Sequence, residues 1–433
     1  MKKLILAVIL LTAISPSVMA QGGTNSPYSA YGLGELAEQT TGFNRGMNGV
    51  ALGFHEHNQV NYLNPASYSA IDSLSFIFDM GFSGQVTHFK EAGKTLNAKN
   101  ADLEYVVAGF RAFRHLGVSF GVVPFTNIGY NYALSGNVGN VANTTYTNTY
   151  NGSGGMHQVF LGMGWEFLKG LSIGANASYL WGTYDRSISN AYSDPYVNTL
   201  TRDYTADITN YKLDFGLQYT RKLSKKDELT IGLTYSPGHH IGGGPEVIVT
   251  STNSQTSVAN ADTVGGKSLY LSIPDMFGAG LMWNHNNQWK IGLDYTLQKW
   301  SKLRYPVLDD DNQGQLSYTL QDGVLKDRQK LTVGGEYCHG EYDRRFLNRL
   351  RYRAGFSYAT PYYTVNGANG PKEYSASFGF GIPIMNALNN RSFVNISAQW
   401  VHQSAPGMIY ENTFRINIGI TFNESWFHKF KVQ

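Results

Sequence analysis

Two arginines, Arg351 and Arg353, occupy alternate positions of one predicted strand and have the right chemistry to bind an anion. Because alternate residues of a strand face the same side, both guanidinium groups are expected on one face. Together they could hold a ligand carboxylate by charge-assisted hydrogen bonds. Acidic residues such as Asp214 and Asp294 are predicted on the same side of the sheet, so pairing within the protein is the alternative that the pattern favours. The other basic residues predicted there are Lys212, Lys290 and Arg415.

Other patterns are typical of catalysis or metal binding, but each lacks something that the chemistry requires. Gly117-Val118-Ser119-Phe120-Gly121 matches a nucleophile elbow, yet that motif needs a strand-to-helix turn and this run lies inside a predicted strand. His55-Glu56-His57 and His239-His240 lack a third and fourth ligand at usable spacing. Asp309-Asp310-Asp311 is interpreted as a solvated acidic run. We therefore expect no enzyme activity, no metal site and no cofactor.

Residues 1–20 have the three parts of an export signal. Met1-Lys2-Lys3 is basic, the run from Leu4 to Ile14 is apolar, and Val18-Met19-Ala20 has small residues where a signal peptidase cleaves. The apolar run is too short to span a bilayer well. The sequence therefore predicts a cleaved signal peptide, with the mature chain starting at Gln21.

Composition narrows the class of protein further. Hydrophobic residues make up 42% of the chain and charged residues only 15%, against 29 tyrosines and 23 phenylalanines. Without Lys2 and Lys3 the 34 basic residues fall to 32 against 31 acidic ones, a net charge of +1, so nucleic acid is not an expected partner. No later stretch has the roughly 20 apolar residues of a membrane-spanning helix. Export, few charges and many aromatic residues are typical of an outer-membrane β-barrel.

From Ser73 onward the hydrophobic pattern has a period of two. Val394, Ile396 and Trp400, for example, alternate with polar residues. Tight links such as Arg114-His115 alternate with long ones such as 136–153, 249–266 and 304–315, as in transmembrane barrels. We predict an all-β fold, a transmembrane antiparallel barrel of about 14 strands. The predicted strands are 73–88, 98–113, 116–135, 154–168, 170–189, 201–222, 227–248, 267–284, 288–303, 316–338, 346–360, 371–384, 391–403 and 411–422.

The stretch before these strands, residues 21–71, has no such period and is predicted to be a plug inside the barrel. The plug (hatch) ends soon after the turn Asn64-Pro65-Ala66, where proline fixes its own φ and keeps the preceding residue out of the helical region. The predicted organisation is a signal peptide at 1–20, a plug at 21–71, and a barrel at 72–433 with a short C-terminal tail.

Pro124 lies within the third predicted strand, where a proline cannot donate to the hydrogen-bond ladder. In a closed barrel, an unpaired carbonyl opposite it costs several kcal/mol unless the backbone bends or meets water. We therefore predict a bulge or an opening of the wall near Pro124. The alternative is that Pro124 lies at the membrane rim and only ends the strand.

Three motifs together resemble the long-chain fatty-acid transporter family of outer-membrane proteins and its toluene-porin relatives. They are the Asn64-Pro65-Ala66 turn, the run Ile273-Pro274-Asp275-Met276-Phe277-Gly278-Ala279-Gly280-Leu281, and the run Leu350-Arg351-Tyr352-Arg353-Ala354-Gly355-Phe356-Ser357-Tyr358. The start Ser26-Pro27-Tyr28 and the tail Trp426-Phe427-His428-Lys429 depart from proteobacterial members and look like the Bacteroidetes branch. That branch also contains a component of a secretion machinery.

The resemblance implies a plugged fourteen-stranded barrel in the Gram-negative outer membrane. It implies passive transport of hydrophobic, fatty-acid-like molecules, with release sideways into outer-membrane lipid near a kink in the third strand. A monomer is expected. The alternative function is a barrel that docks a protein-secretion partner or an exported protein.

Within this scheme the turn Asn64, Pro65 and Ala66 is either a gate that moves when ligand binds or a structural turn. The apolar residues flanking the turn could line a ligand pocket, as such sites usually require, or pack the plug against the wall. These residues are Phe54, Tyr62, Leu63 and Tyr68.

Overall fold

The computed structural model describes residues 23–91, 93–139, 144–310, 316–365, 367–384 and 392–425. The predicted signal peptide and the tail after residue 425 lie outside these residues. The described strands, in chain order, are β1 (Glu35–Leu36), β2 (Ser75–Glu91), β3 (Lys94–Phe113), β4 (Leu116–Asn137), β5 (Thr145–Leu168), β6 (Leu171–Tyr192), β7 (Thr199–Lys222), β8 (Asp227–Ser236), β9 (His239–Gly243), β10 (Glu246–Thr252), β11 (Ala259–Gly265), β12 (Tyr270–Ile273), β13 (Met276–His285), β14 (Trp289–Gln298), β15 (Tyr305–Asp310), β16 (Leu316–Gln321), β17 (Arg328–Tyr337), β18 (Arg351–Ala359), β19 (Thr364–Val365), β20 (Ala368–Asn369), β21 (Lys372–Ile384), β22 (Ser392–Ser404) and β23 (Tyr410–Ser425).

Fourteen of these strands form one closed antiparallel wall, which confirms the predicted barrel. Each wall strand pairs with the next, and β23 pairs with β2 to close the ring. The wall strands are β2 to β8, β13, β14, β17, β18 and β21 to β23. The described helices are short, Gly42–Arg45 and Phe346–Arg349, with 3₁₀ turns at Pro27–Ala30, Pro65–Ala70 and Trp300–Lys302. No helix among the described residues is long and apolar enough to cross a membrane.

The two faces of the wall differ as the sequence pattern predicts. On β23, Ile416 and Ile418 are 46% and 42% exposed, whereas Asn417 between them is buried. On β22, Ile396 faces outward and Asn395 is buried inside. An apolar outer face around a polar interior is the arrangement of a transmembrane barrel, whose outside contacts lipid rather than water.

The connections at the two ends of the barrel have different lengths. One end has the tight turns at 114–115, 169–170, 223–226 and 286–288, together with a longer link at 338–350. The other end carries the long connections at 237–275 and 299–327. In barrels of this kind short turns face the periplasm and long loops face outside, so we name the two ends the short-turn end and the long-loop end.

Several predicted strands and loops are wrong in detail at the long-loop end. The predicted loop 136–153 is mostly paired, because β4 runs to Asn137 and β5 starts at Thr145. The predicted loop 249–266 contains a β10–β11 hairpin that extends the sheet from β7. Above the membrane neither face of a hairpin meets lipid, so backbone pairing proceeds there without apolar alternation. The predicted strands 227–248 and 316–338 leave only β8 and β17 in the wall. At the short-turn end, the predicted strand 346–360 is shortened to β18, because Phe346–Arg349 is a short helix.

Candidate functional site

Residues 23–71, here called the N-terminal segment, lie against the inward face of the wall. Their backbone packs onto wall glycines: a Cβ added to Gly174 would overlap the backbone of Pro65, and one added to Gly355 would overlap that of Met47. Glycine at these inward positions therefore brings the segment and the wall into direct backbone contact. Most side chains of the segment are buried as a result.

The predicted gate turn is tied to both the segment and the wall. Asn64 is fully buried and caps the Pro65–Ala70 turn, its Oδ1 accepting from the Ala66 amide at 3.2 Å. Its Nδ2 donates to the carbonyl of Leu52 at 2.9 Å and to that of Leu217 on β7 at 3.4 Å. The geometry makes this turn a joint between segment and wall.

Replacing Asn64 with alanine is expected to lower the free energy of unfolding by about 1–2 kcal/mol, because a cap and buried hydrogen bonds are lost. Urea unfolding followed by tryptophan fluorescence measures the change, and hydrogen exchange of Pro65–Ala70 localises it. The matched control is Asn260→Ala, at an exposed position on β11. Equal losses for the two variants would contradict the joint role of Asn64.

The four predicted pocket residues occupy two kinds of place. Phe54 and Tyr68 are 1% exposed; Phe54 packs edge-on to Phe43, and the Tyr68 hydroxyl donates to Asn176 at 3.1 Å. Tyr62 and Leu63 instead line a cavity. The Tyr62 ring lies 4.5 Å from that of Phe160, and its hydroxyl donates to Asp214 at 3.3 Å. Burial, reinforced by the charge of Asp214, raises the pKa of Tyr62 well above its usual value, so the phenol remains a donor.

Arg45 fastens the N-terminal segment to β3 and β23, the two wall strands on either side of β2. Its guanidinium is buried, pairs with Glu104 on β3 at 3.0 Å, and donates to Asn417 on β23 at 3.1 Å. Nε also donates to the carbonyl of Thr40 at 3.1 Å within the segment. A single cation thus joins the segment to β3 and β23.

Amide and carboxylate contacts fasten the segment to β14, β18 and β21. Asn48 donates to the hydroxyls of Ser357 and Ser375, at 2.8 Å and 2.7 Å, on β18 and β21. One carboxylate oxygen of Asp294 accepts from the amides of Ala51 and Leu52 at 2.6 Å and 2.9 Å. With Arg45, these contacts hold the segment around much of the ring.

Arg351 and Arg353 both bind Glu336. Arg351 Nη1 lies 2.8 Å from Glu336 Oε1, and Arg353 Nε lies 2.7 Å from Oε2. Lys290 approaches the same carboxylate at 3.8 Å and pairs with Glu56 of the segment at 2.5 Å. Both arginines, Lys290 and Glu336 are buried and Glu56 is partly buried. The basic residues of the inward face are thus paired within the protein, which is the alternative that the sequence pattern favours. Likewise, Lys212 pairs with Asp214.

The wall has a break in its pairing between β3 and β4. Among the described residues, the β3–β4 ladder runs from Phe113↔Leu116 to Val106↔Val122 and stops there. Beyond that point β3 continues against β2, and β4 continues against β5, over the half of the barrel toward the long-loop end. We call this break the β3–β4 gap.

The N-terminal segment occupies the β3–β4 gap. Its strand β1 pairs with β4, Leu36 opposite Thr126 and Glu35 opposite Asn127. Asn25 reaches the other side, where its Nδ2 donates to the carbonyl of Lys99 on β3 at 3.0 Å. Residues from 25 to 39 therefore bridge the two strands that have separated.

Pro124 lies at the start of the gap, well inside β4. The β4–β5 register shifts between Pro124 and Thr126, which is a bulge at Phe125. The Pro124 carbonyl accepts from the side chain of Gln39 at 3.1 Å, and the Phe125 carbonyl accepts from the amide of Ala37 at 3.1 Å. Pro124, which has no amide hydrogen, thus lies where β4 is no longer paired with β3. The N-terminal segment supplies hydrogen-bond donors to the carbonyls that are unpaired on that side.

A cavity of about 210 Å³ lies behind this closure. Its lining is strongly charged, combining acids and bases from both the segment and the wall. Glu38 of the segment lies 3.9 Å from Lys330, and Arg328 lies 3.5 Å from Glu373. The charged lining residues are Glu35, Glu38, Glu104, Lys212, Asp214, Asp294, Arg328, Lys330, Glu373 and Arg415.

A family model described as BamG matches the whole chain, residues 1–433. The chain belongs to the BamG family. No curated protein matches this BamG-family chain.

Solved outer-membrane transporters share the fold of this BamG-family barrel. A Pseudomonas aeruginosa FadL homologue is 11% identical with a TM-score of 0.62, covering 90% of this chain and 99% of its own. The Pseudomonas putida toluene transporter TodX is 14% identical with a TM-score of 0.59, covering 92% of this chain and 100% of its own. The Ralstonia pickettii toluene transporter TbuX is 13% identical with a TM-score of 0.58, covering 89% of this chain and 98% of its own. The resemblance drawn from the sequence motifs is confirmed in the fold.

Sequence reasoning missed the segment residues that close the gap of this BamG-family barrel and part of the charged lining of its cavity. Glu35, Glu38 and Gln39 meet wall residues more than eighty positions away, and no local pattern reports such contacts. One signal was available: Glu35 and Glu38 are carboxylates in a segment otherwise rich in glycine and apolar residues. Buried carboxylates need partners, so they indicate a polar compartment inside the barrel.

Proposed function

We propose that this barrel carries small hydrophobic molecules across the Gram-negative outer membrane, without enzyme activity and as a monomer. The observation that carries the proposal is the β3–β4 gap, which would give a sideways path into outer-membrane lipid. An apolar molecule gains free energy by entering the hydrocarbon directly, so a lateral exit spares it a second passage through water. The shared fold with hydrophobic-compound transporters supports the same function.

In this proposal the N-terminal segment is a plug and residues 35–39 are its movable part. Two ladder positions, the backbone hydrogen bond from Ala37 and the side chain of Gln39 hold them to β4, and Glu38 lies near Lys330. Arg45, Asn48 and Asp294 fasten the rest of the segment to the wall. Local opening of weakly held elements costs less than global unfolding. Withdrawal of β1 would connect the cavity to the gap, and the Asn64-Pro65-Ala66 turn would anchor the part that stays.

A disulfide across the closure tests the proposal. Glu35→Cys/Asn127→Cys, in a Cys338→Ala background, joins two directly opposed residues of β1 and β4. Uptake of radiolabelled oleate and toluene is measured in host cells whose own hydrophobic-compound channels have been deleted. Oxidation is expected to reduce uptake by about tenfold or more, since a covalent bond outlasts any thermal opening of a weakly held strand. Reduction should restore uptake.

The matched control is Ser189→Cys/Thr201→Cys in the same background. These residues are opposed on β6 and β7, with their hydroxyls 3.3 Å apart, and they lie away from the gap. Oxidation of this pair should leave uptake unchanged. Unchanged uptake with the β1–β4 disulfide formed would refute lateral exit at this gap.

The charged cavity and the many fixed contacts of the segment favour a second candidate function. Pockets for apolar ligands are mostly lined by hydrophobic and aromatic side chains, unlike this cavity. In this second function the barrel docks a protein-secretion partner or an exported protein, and the N-terminal segment stays bound inside the barrel. Co-purification of a stable protein partner, unaffected by the β1–β4 disulfide and without any hydrophobic-compound uptake, would select this function.

A further inference from the structure

The link between β17 and β18, residues 338–350, exposes an unusual set of side chains at the short-turn end. Tyr342 is 81% exposed, Phe346 51% and Leu347 64%. Phe346 and Leu347 open the short helix Phe346–Arg349. Large apolar side chains grouped on an exposed link mark an interaction surface rather than part of a core. We call these residues the 338–350 link.

The 338–350 link lies beside the lipid-facing surface of the barrel. The Tyr352 hydroxyl donates to the carbonyl of Leu347 at 3.1 Å. Tyr352 faces outward, because its neighbours Arg351 and Arg353 are buried inside the wall. Leu347 is therefore placed next to the outer surface of β18.

Tyr352 itself belongs to a row of outward aromatic rings near the short-turn end. The rings of Trp289 and Tyr337 lie 4.4 Å apart, and those of Tyr352 and Phe380 lie 5.7 Å apart. A contact of 6.5 Å between Tyr337 and Tyr352 joins the two pairs. Such aromatic rows mark the level of the lipid headgroups. The exposed apolar residues of the link are thus continuous with a membrane-interface surface.

The charges of the 338–350 link suit a negatively charged interface. Asp343 accepts from the Asn348 side chain at 2.9 Å and from the Arg345 amide at 2.8 Å. Glu341 lies 3.8 Å from Arg351. Both carboxylates of the link thus have partners, within the link or in the wall, while the Arg344 and Arg345 side chains are exposed. Arginine binds phosphate groups through its fork of N–H donors.

We propose that the 338–350 link is a lipid-binding foot on the periplasmic leaflet of the outer membrane. Phe346 and Leu347 enter the boundary between headgroups and acyl chains, and Arg344 and Arg345 bind the phosphates of anionic phospholipids. Apolar residues joined to basic ones are the usual composition of interfacial segments. The barrel thereby binds the membrane at one point of its rim through a protruding link as well as through its wall.

Site-directed spin labelling measures the depth of the foot. Phe346→Cys, in a Cys338→Ala background, is labelled in the full-length protein in nanodiscs of phosphatidylethanolamine and phosphatidylglycerol. We expect the label to collide more with oxygen, which partitions into lipid, than with a water-soluble nickel chelate. Tyr196→Cys is the matched control, since Tyr196 is 83% exposed on the link after β6 at the long-loop end. The label at position 196 should collide more with the nickel chelate than with oxygen.

The contribution of the two arginines to phospholipid binding is tested with the double variant Arg344→Gln/Arg345→Gln. Native mass spectrometry counts the phosphatidylglycerol retained, which should fall by about tenfold as two interfacial arginines are lost. Arg304→Gln, an exposed arginine at the long-loop end, should change nothing. Unchanged migration of the unheated barrel on gels shows that each variant is folded.

A label at position 346 that is as water-accessible as the one at position 196 would overturn the proposal. So would protection of that label only after periplasmic extract is added, because the link would then be a site for a protein. Retention of phosphatidylglycerol equal to wild type in the double glutamine variant would remove the arginines from the proposal. None of these outcomes depends on whether the barrel transports hydrophobic molecules.

Discussion

Replacing Arg45 with methionine is expected to lower the free energy of unfolding by about 3–5 kcal/mol, because Glu104 is left buried without its cation. Ser83 still donates to the Glu104 carboxylate, but a hydroxyl does not neutralise a charge. The variant also loses the Asn417 contact, so this side chain no longer links β3 to β23. Urea unfolding in lipid vesicles measures the stability, and hydrogen exchange of residues 40–53 shows where protection is lost.

Two further variants separate charge from packing at Arg45. Arg45→Met/Glu104→Met removes both charges and should recover part of the lost stability, since neither partner is then left alone. Arg304→Met removes an arginine from the exposed pair with Asp322 and should cost less than about 1 kcal/mol. An Arg45→Met protein no less stable than the Arg304→Met protein would show that the segment does not depend on this ion pair.

Replacing Glu336 with glutamine is the second change with a large expected effect. Glu336 neutralises Arg351 and Arg353, and Lys290 lies nearby, all buried. A neutral amide leaves these cations facing one another, with Glu56 on Lys290 and Glu341 near Arg351 as acidic partners that remain. We expect a loss of about 3–5 kcal/mol in the same unfolding measurement, because uncompensated buried charge dominates.

High salt and a paired variant test the electrostatic origin of that loss. Glu336→Gln/Arg353→Met removes one cation together with the anion and should be more stable than Glu336→Gln alone. Buried pairs are little screened, so added salt should not restore the single variant. Stability of Glu336→Gln equal to wild type would mean that the cluster is neutralised in another way. A bound ligand carboxylate, as first considered for Arg351 and Arg353, would be one such source of negative charge.

The barrel wall could be predicted from the sequence because lipid and lumen impose opposite requirements on alternate residues. On β22, Ile396 must face hydrocarbon and Asn395 must face polar partners, so a period of two appears in the sequence. The same reasoning singled out Pro124, because a proline inside a membrane-spanning strand leaves a gap in the hydrogen-bond ladder that the surrounding structure must accommodate. Where neither face of a hairpin meets lipid, as in β10 and β11, the constraint is lost and the prediction was wrong.

The candidate site could be predicted only in part, because it depends on contacts between distant residues. The Asn64-Pro65 dipeptide identifies a turn, but not that Asn64 bonds Leu217. Phe54 and Tyr68 have the composition of pocket residues, and only the packing of Phe43 and Asn176 against them shows that they are enclosed. Glu35 and Asn127 are about ninety positions apart and meet because β4 separates from β3. The period of the strands carries no information on that separation.

The contacts of the N-terminal segment also bear on how the chain assembles. Ser26 bonds Glu411 and Arg45 bonds Asn417, joining residues more than 370 positions apart. The pairing of β2 with β23 closes a loop of nearly the same size. The entropic cost of closing a loop grows only slowly with its length, and two contacts that close the same loop share that cost. Binding of the segment to the wall therefore makes the β2–β23 pairing easier to form, and the β2–β23 pairing makes binding of the segment easier. The segment therefore acts as an internal template around which the barrel closes. Folding should show one cooperative step in which binding of the segment and closure of the barrel cannot be separated.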